Sequence, residues 1–218
     1  MVRSARYFPI PLVLAVALPA QGQEPGLAAL EAASARYATF QTICADFRQR
    51  LENPLLDEEK TSSGRLCQRR PNLFRMDFAD PDGDEIVADG AHFWLFYKSL
   101  NPDQVLQFPL DPERGGLDFF REFLLDPTSK YAVVSEGRES IDGFLTWRLS
   151  LTPRSPRGLA SARVWVDPEA GLIRRIEVVD DNGLLRRVDL SDVALDPALA
   201  PGHFEFTVPP GVDVVSNG

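Results

Sequence analysis

Two cysteines, two histidines and two methionines are all that 218 residues supply of the side chains most used in metal and redox sites. No CxxC occurs, and neither His92 nor His203 lies near a cysteine, so the spacings of zinc sites and of thiol exchange are missing. Also missing are a G-x-S-x-G elbow, a P-loop, an H-E-x-x-H pair and a dinucleotide fingerprint. His92 opens an apolar strand and His203 precedes one, which reads each as a strand-end residue. Positive charge is scarce, with 23 Lys and Arg against 32 Asp and Glu. Such a chain is a poor partner for nucleic acid, where clustered cations must neutralise phosphates. It is also repelled by anionic membrane surfaces. The carboxylates fall mostly in turns and on alternating outer faces, and no acid pair stands out as a catalytic couple.

Long apolar runs are absent beyond the first 22 residues, so nothing later spans a bilayer as a helix. Residues 1–22 read as a secretory signal: Arg3 and Arg6, then an apolar run from Tyr7 to Leu18, then small residues at Ala20 and Gly22. Cleavage after Gly22 is expected, with cleavage after Ala20 as the alternative. An uncleaved anchor is the competing reading. No cysteine stands near the site, so a lipid-anchor signal is missing. The expected mature protein, 23–218, is exported to the periplasm as one soluble domain. It carries 21 basic and 32 acidic residues, a net charge of −11. No internal repeat or linker divides it.

Cys44 and Cys67 flank the turn-like segment Asn53–Glu59. If the flanking strands pair as a hairpin centred near Leu55–Leu56, the two cysteines face each other within bridging distance. Export makes a disulfide the expected state; two separate buried thiols are the alternative.

Gln23–Thr39 has helical spacing of Leu27, Leu30, Ala33 and Tyr37, with Pro25 in the first turn. The rest is mostly strand, with turns marked by Asp and Gly about every 12 residues, which predicts an antiparallel meander. Asp80–Asp84 resembles a calcium loop in its alternate acids, but no glutamate closes it, and a hairpin turn at Gly83 is the better reading. Phe93, Leu95 and Tyr97 alternate with Trp94 and Phe96, as in a strand covered on both faces. Phe204, Phe206 and Val208 predict a last strand before Pro209-Pro210. One helix, Leu117–Leu125, interrupts the strands after Gly115-Gly116 and stops at Asp126-Pro127. Its apolar residues cover more than half its circumference. It is either wedged into a core or a lid over an apolar cavity.

What the chain has in excess is phenylalanine, 14 in all. A sheet with helices on one face is an α+β arrangement, mainly β. The aromatics either fill a core or, if the sheet curls, line a cavity able to take acyl chains. Gly64–Phe78 organises this half of the chain. Arg69 and Arg70 point to opposite faces there, so one guanidinium lies beside apolar surface and needs acceptors. Phe74, Met76 and Phe78 then alternate with Arg75 and Asp77.

G-x-L-x-x-x-R-P-N-L-F (Gly64–Phe74), I-V-A-D-G (Ile86–Gly90), F-W-L-F-Y (Phe93–Tyr97) and F-x-F-x-x-P-x-G-V (Phe204–Val212) follow in order. In these motifs the chain resembles the LolA family, the periplasmic lipoprotein carriers of Gram-negative bacteria. The resemblance implies an incomplete, curved antiparallel β-barrel with helices covering its open apolar side. It implies acylated lipoproteins as cargo, an inner-membrane lipoprotein-releasing ABC transporter and an outer-membrane lipoprotein receptor as partners, and neither cofactor nor covalent chemistry. A monomer is the expected state. Arg70 matches the family arginine that bonds lid backbone and closes the empty cavity. Phe74 matches the phenylalanine used in handover. Periodicity and lid placement, not the resemblance, nominate Met76, Phe78, Leu95, Phe119, Phe120 and Phe123 for the acyl-chain lining. The Cys44/Cys67 pair and a diffuse match around the lid depart from the enterobacterial pattern. Two other readings stand beside the carrier: transport of another lipid or glycolipid, and a lipid-responsive sensor or interaction module on the same fold.

Overall fold

A computed structural model describes residues 24–110, 119–155 and 158–216. The proposed signal segment lies outside them, as do the paired glycines at 115–116 and the first two residues of the expected lid helix. The elements are α1 (Pro25–Tyr37), β1 (Thr42–Asn53), β2 (Glu58–Arg69), β3 (Leu73–Asp80), β4 (Asp82–Asp89), β5 (His92–Phe96) and β6 (Gln104–Pro109). After these come α2 (Phe119–Leu124), α3 (Pro127–Lys130), β7 (Tyr131–Ile141), β8 (Phe144–Pro153), β9 (Leu159–Asp167), β10 (Leu172–Asp180), β11 (Leu185–Leu195) and β12 (Asp213–Ser216).

All twelve strands form one sheet in the order β12-β6-β5-β4-β3-β2-β1-β11-β10-β9-β8-β7. The strands at its two edges, β12 and β7, do not pair, so the barrel is incomplete. Every ladder is antiparallel except β12 on β6, which is parallel. The order is two meanders joined through the non-local pairing of β1 with β11, with β12 added non-locally on β6. Bulges in β1–β11, β2–β3, β3–β4, β9–β10 and β7–β8 bend the strands.

Alternation decides which side chains face inward. On β1, Ile43, Ala45 and Phe47 join the core, and their neighbours Asp46 and Arg48 face out. The concave core runs from these residues through β2 and β3 on one side and through β11 to β8 on the other. The outer face of β8–β11 carries an ion-pair net instead. There the buried Glu177 accepts from Arg163 Nη1 at 2.9 Å and from Arg187 Nη2 at 2.6 Å.

α1 starts at Pro25, with the Glu24 carboxylate accepting from Leu27 N–H at 3.3 Å. Its buried stripe is Gly26, Ala29, Leu30, Ala33 and Tyr37. The small residues let it lie close to the sheet: a Cβ on Gly26 would sit 2.6 Å from Ser135 Oγ and 2.8 Å from Leu149 Cδ2. α1 crosses β7–β10 and also touches α2.

Cys44 and Cys67 are direct cross-strand partners and are bonded, with Cα atoms 4.1 Å apart. The expectation of a last strand at Phe204–Val208 is not met. Those residues form no ladder, and the final strand is Asp213–Ser216 instead. The alternation has another cause. Phe204 seats on the disulfide, Phe206 stacks on Trp94 at 5.2 Å, and the residue between them, Glu205, faces solvent. The segment therefore covers the outer side of β5, whereas Phe93 and Leu95 on its concave side are only half-buried, so the expected covering of both faces is met on one.

Candidate functional site: an apolar concave face under two helices

Cross-strand partners share a face, so the ladders place whole rows of side chains. One row runs Ala45–Leu66–Met76–Ile86–Leu95–Leu106. The next runs Ile43–Gln68–Phe74–Ala88–Phe93–Phe108. Phe78 lies in a third row, where its ring meets Phe47 edge-on at 5.2 Å across Gly64. Gly64 has no room for a side chain, because a Cβ there would be 2.0 Å from the Asp77 carbonyl oxygen.

Phe74, Met76 and Phe78 are buried in the concave core, whereas Leu95 is half-buried in the same row as Met76. Phe120 and Phe123 of α2 are buried against that core. Phe120 lies 6.4 Å from the Tyr37 ring, and Phe123 stacks on Tyr131 at 6.2 Å. Phe119 opens α2, and its side chain lies outside the described residues. Strand parity thus brings Phe74, Met76, Phe78 and Leu95 to one face, with Phe120 and Phe123 over it.

Arg70 follows β2 at the corner before Pro71, where its N–H donates to the Gln41 carbonyl at 3.0 Å. Its guanidinium reaches the C-terminal end of α1. Nη2 donates to the Phe40 carbonyl and, at 3.4 Å, to that of Ala38, and the group lies 5.0 Å over the Tyr37 ring. A cation there meets the negative end of the helix dipole and the face of an aromatic ring. Its Nε is buried without a hydrogen-bond partner. The acceptors thus belong to the end of α1, and α2 is reached through α1, where Ser34 Oγ donates to the Leu124 carbonyl. Lys130 Nζ holds the end of α2 through the carbonyls of Arg121, at 3.1 Å, and Glu122. Between α1, α2 and the Arg70–Pro71 corner runs a groove of about 530 Å³, lined in part by Tyr37, Arg70, Arg121 and Leu124.

Sequence reasoning missed three supports of this corner. The Asp196 carboxylate accepts from Gln41 N–H at 2.9 Å and Thr42 N–H at 2.8 Å, and these bonds hold its pKa below the usual range. Gln68 is buried at an inward position and donates to Tyr37 Oη at 3.2 Å. A polar residue at that inward position of β2 was the available signal. Ser34 and Asp196 gave none, because their partners lie far along the chain. Among the described residues no cluster of metal-ligating side chains occurs. The site therefore offers an apolar surface beside a hydrogen-bonded corner of Arg70, α1 and α2.

Comparison with known proteins places this geometry. The family model described as outer membrane lipoprotein carrier protein LolA matches residues 38–207. An outer-membrane lipoprotein carrier protein of Xanthomonas campestris pv. campestris (strain B100) is 32% identical over 173 residues, 78% of this chain and 80% of that one. Another, of Methylobacillus flagellatus, is 25% identical over 213 residues, 94% of this chain and 96% of its own. In fold, the chain is similar to an uncharacterised conserved protein of Thermus thermophilus, with a TM-score of 0.55 at 14% identity, over 89% of this chain and 100% of that one. The family match spans well over half of the sequence and includes β1 to β11, the Arg70 corner and α2, and by it the chain belongs to the LolA family of outer membrane lipoprotein carrier proteins.

Proposed function

We propose that this protein is a periplasmic carrier that shields the acyl chains of lipoproteins between an inner-membrane ABC transporter and an outer-membrane receptor. The observation that carries the reading is the incompletely covered apolar strip of β4–β6, where Ile86, Phe93, Leu95, Leu106 and Phe108 are only half-buried. These side chains continue the rows of Phe74 and Met76 and offer a surface for alkyl chains next to a closure held by hydrogen bonds.

An acyl chain leaving a bilayer for such a surface exchanges one apolar environment for another. The hydrophobic gain of about 0.8 kcal/mol per CH₂ that a chain obtains on leaving water therefore largely cancels. A closure worth a few kcal/mol then decides direction. Arg70 supplies part of that closure through the end of α1. Loading works against it, and delivery recovers it. Phe74, in the row beside Met76, is the inward aromatic nearest that corner on β3 and takes part in handover. Met76, Phe78, Leu95, Phe120 and Phe123 contact the chains.

The test adds mature protein to spheroplasts of the source bacterium and probes the soluble fraction for newly made lipoprotein bound to it. A one-to-one soluble complex is the expected result. Lipoprotein that stays on the membrane beside an active transporter refutes the reading. Arg70→Leu is expected to load at least as well as wild type and to deliver poorly to outer-membrane vesicles. Wild-type delivery by that variant refutes the role of Arg70.

A further inference from the structure

The alternation of strands sorts the turns onto two ends of the sheet. The β2–β3, β4–β5, β7–β8 and β9–β10 turns share the end that bears Arg70. The β1–β2, β3–β4, β5–β6, β8–β9 and β10–β11 connections share the other end. That second end has two properties the carrier chemistry does not use.

Its turns display the three most exposed large apolar side chains among the described residues: Leu55 at 78%, Leu100 at 74% and Leu56 at 63%. They sit on hydrogen-bonded turns. Leu55 N–H donates to Asn53 Oδ1 at 3.0 Å, and Leu100 N–H donates to the Tyr97 carbonyl at 3.0 Å. The turns hold these leucines out in water, with Leu55 and Leu56 side by side on one tip.

The same end is acidic. Asp57, Glu58 and Glu59 follow the leucine pair, Asp82 and Asp103 flank the Leu100 turn, and Asp181 lies on the β10–β11 turn; all are exposed. On these four neighbouring turns the exposed cations are Lys60, Lys98 and Arg186; Lys60 pairs with Glu58 at 3.8 Å, and the half-buried Arg50 pairs with Glu59 at 2.9 Å. Beside the β1–β2 tip lies a groove of about 420 Å³ with Pro54, Val179 and Leu185 among its lining and Glu52 and Glu58 at its rim. The opposite end presents Arg70 and Arg121 around the closure groove, with Arg36 beside the β9–β10 turn.

We propose that the acidic, leucine-tipped end docks a protein partner whose matching face is basic and has an apolar cleft for Leu55 and Leu56. Charge complementarity argues for a protein over a lipid surface: anionic headgroups repel this cluster of carboxylates. Placing the contact at the end away from Arg70 leaves the closure free to open while the carrier is held. The inference rests on the carrier reading, because it assigns the contact to one of the two membrane steps.

The test uses two variants of the full mature chain, Leu55→Ser/Leu56→Ser and Glu58→Lys/Glu59→Lys. Each is assayed in release from spheroplasts and in delivery to outer-membrane vesicles, with fluorescent fatty-acid binding as the control for an intact site. The expected result is that both variants lose about tenfold in the rate of the same step while binding fatty acid normally. The wild-type rate of that step should fall between roughly 50 and 300 mM salt, and the lysine variant should lose this dependence. Wild-type rates for both variants overturn the docking surface alone. A rate lost only in the serine variant, and insensitive to salt, overturns it in favour of leucine insertion into lipid. No release by the wild type instead sinks the carrier reading itself.

Discussion

The two halves of the concave face have the same alternation and different fates. Under α1, Leu149, Leu151, Val164 and Val166 on β8 and β9 have no exposed surface, and Ile176 and Val188 beside them are buried. These are aliphatic side chains locked between a sheet and a helix of small residues. Across β1, the face continues through Phe74, Met76 and Phe78 and then thins out into Ile86, Phe93, Leu95, Leu106 and Phe108, all half-buried. The residues change from wholly aliphatic to half phenylalanine, and the cover changes from α1 to less than full burial. One half is a core in the ordinary sense, and the other is a surface kept partly unfilled. If the proposed function holds, fold stability and lipid binding are separable along a single sheet.

The sharpest way to break this comparison is to cut one leucine from each half. Leu149→Ala leaves a cavity under α1 and should cost about 2–5 kcal/mol of unfolding free energy. Its affinity for a fluorescent fatty acid, measured while the protein is still folded, should be close to wild type. Leu95→Ala removes a half-buried side chain and should cost less than about 1 kcal/mol, yet weaken fatty-acid binding severalfold. If Leu149→Ala loses binding as much as Leu95→Ala does, the two halves are not independent.

The disulfide sharpens the comparison from the outer face. Cys44 and Cys67 clamp β1 to β2 beneath Phe204, on the side away from the concave rows. The bridge closes a loop between residues 23 apart, so Cys44→Ala/Cys67→Ala should lose about 3 kcal/mol in urea unfolding. Because the clamp lies outside the apolar face, fatty-acid affinity should stay unchanged. A parallel loss of binding would show that the half-buried side of the face depends on that clamp.

Much of this was readable in the sequence wherever local chemistry set the register. The turn near Leu55–Leu56 placed Cys44 opposite Cys67, and alternation put Phe93 and Leu95 on the face opposite Trp94 and Phe96. Alternation misled at Phe204–Val208, because a segment lying on a sheet shows the same period as a strand within it. Non-local pairings left no local trace: β1 with β11, and β12 parallel to β6. The same holds at the closure. One of Arg69 and Arg70 was visibly in need of acceptors, but that it would be Arg70, bonded to carbonyls at the end of α1 braced by Asp196, depends on contacts 30 to 155 residues apart.

The smallest expected effect compares two turns at the Arg70 end. In the covered half, Asp167 turns β9 into β10, accepting from Glu169 and Ala170 N–H and pairing with the buried Arg174 at 2.7 Å. On the half-buried side, Asp89 turns β4 into β5, accepting from Ala91 N–H at 2.8 Å, His92 N–H at 2.7 Å and Trp94 Nε1–H at 2.8 Å. Burial alone would raise the pKa of each. The hydrogen bonds, with Arg174 at Asp167, outweigh it and hold both below the ordinary carboxylate value. A depressed folded-state pKa means stability that is complete above the unfolded pKa, near 4, and lost as pH falls through the lower folded value. Asp89→Asn keeps an oxygen for the turn but sets an amide against the indole N–H, so it should cost about 1 kcal/mol at pH 7. In urea titrations across pH 7 to 3, the difference between wild type and variant should shrink below about pH 4, where Asp89 of the unfolded wild-type chain protonates while the folded one still resists it. A gap that stays constant with pH would mean that the carboxylate's charge contributes nothing at this turn. The half-buried side would then be held there by shape alone, unlike the charge-paired turn at Asp167.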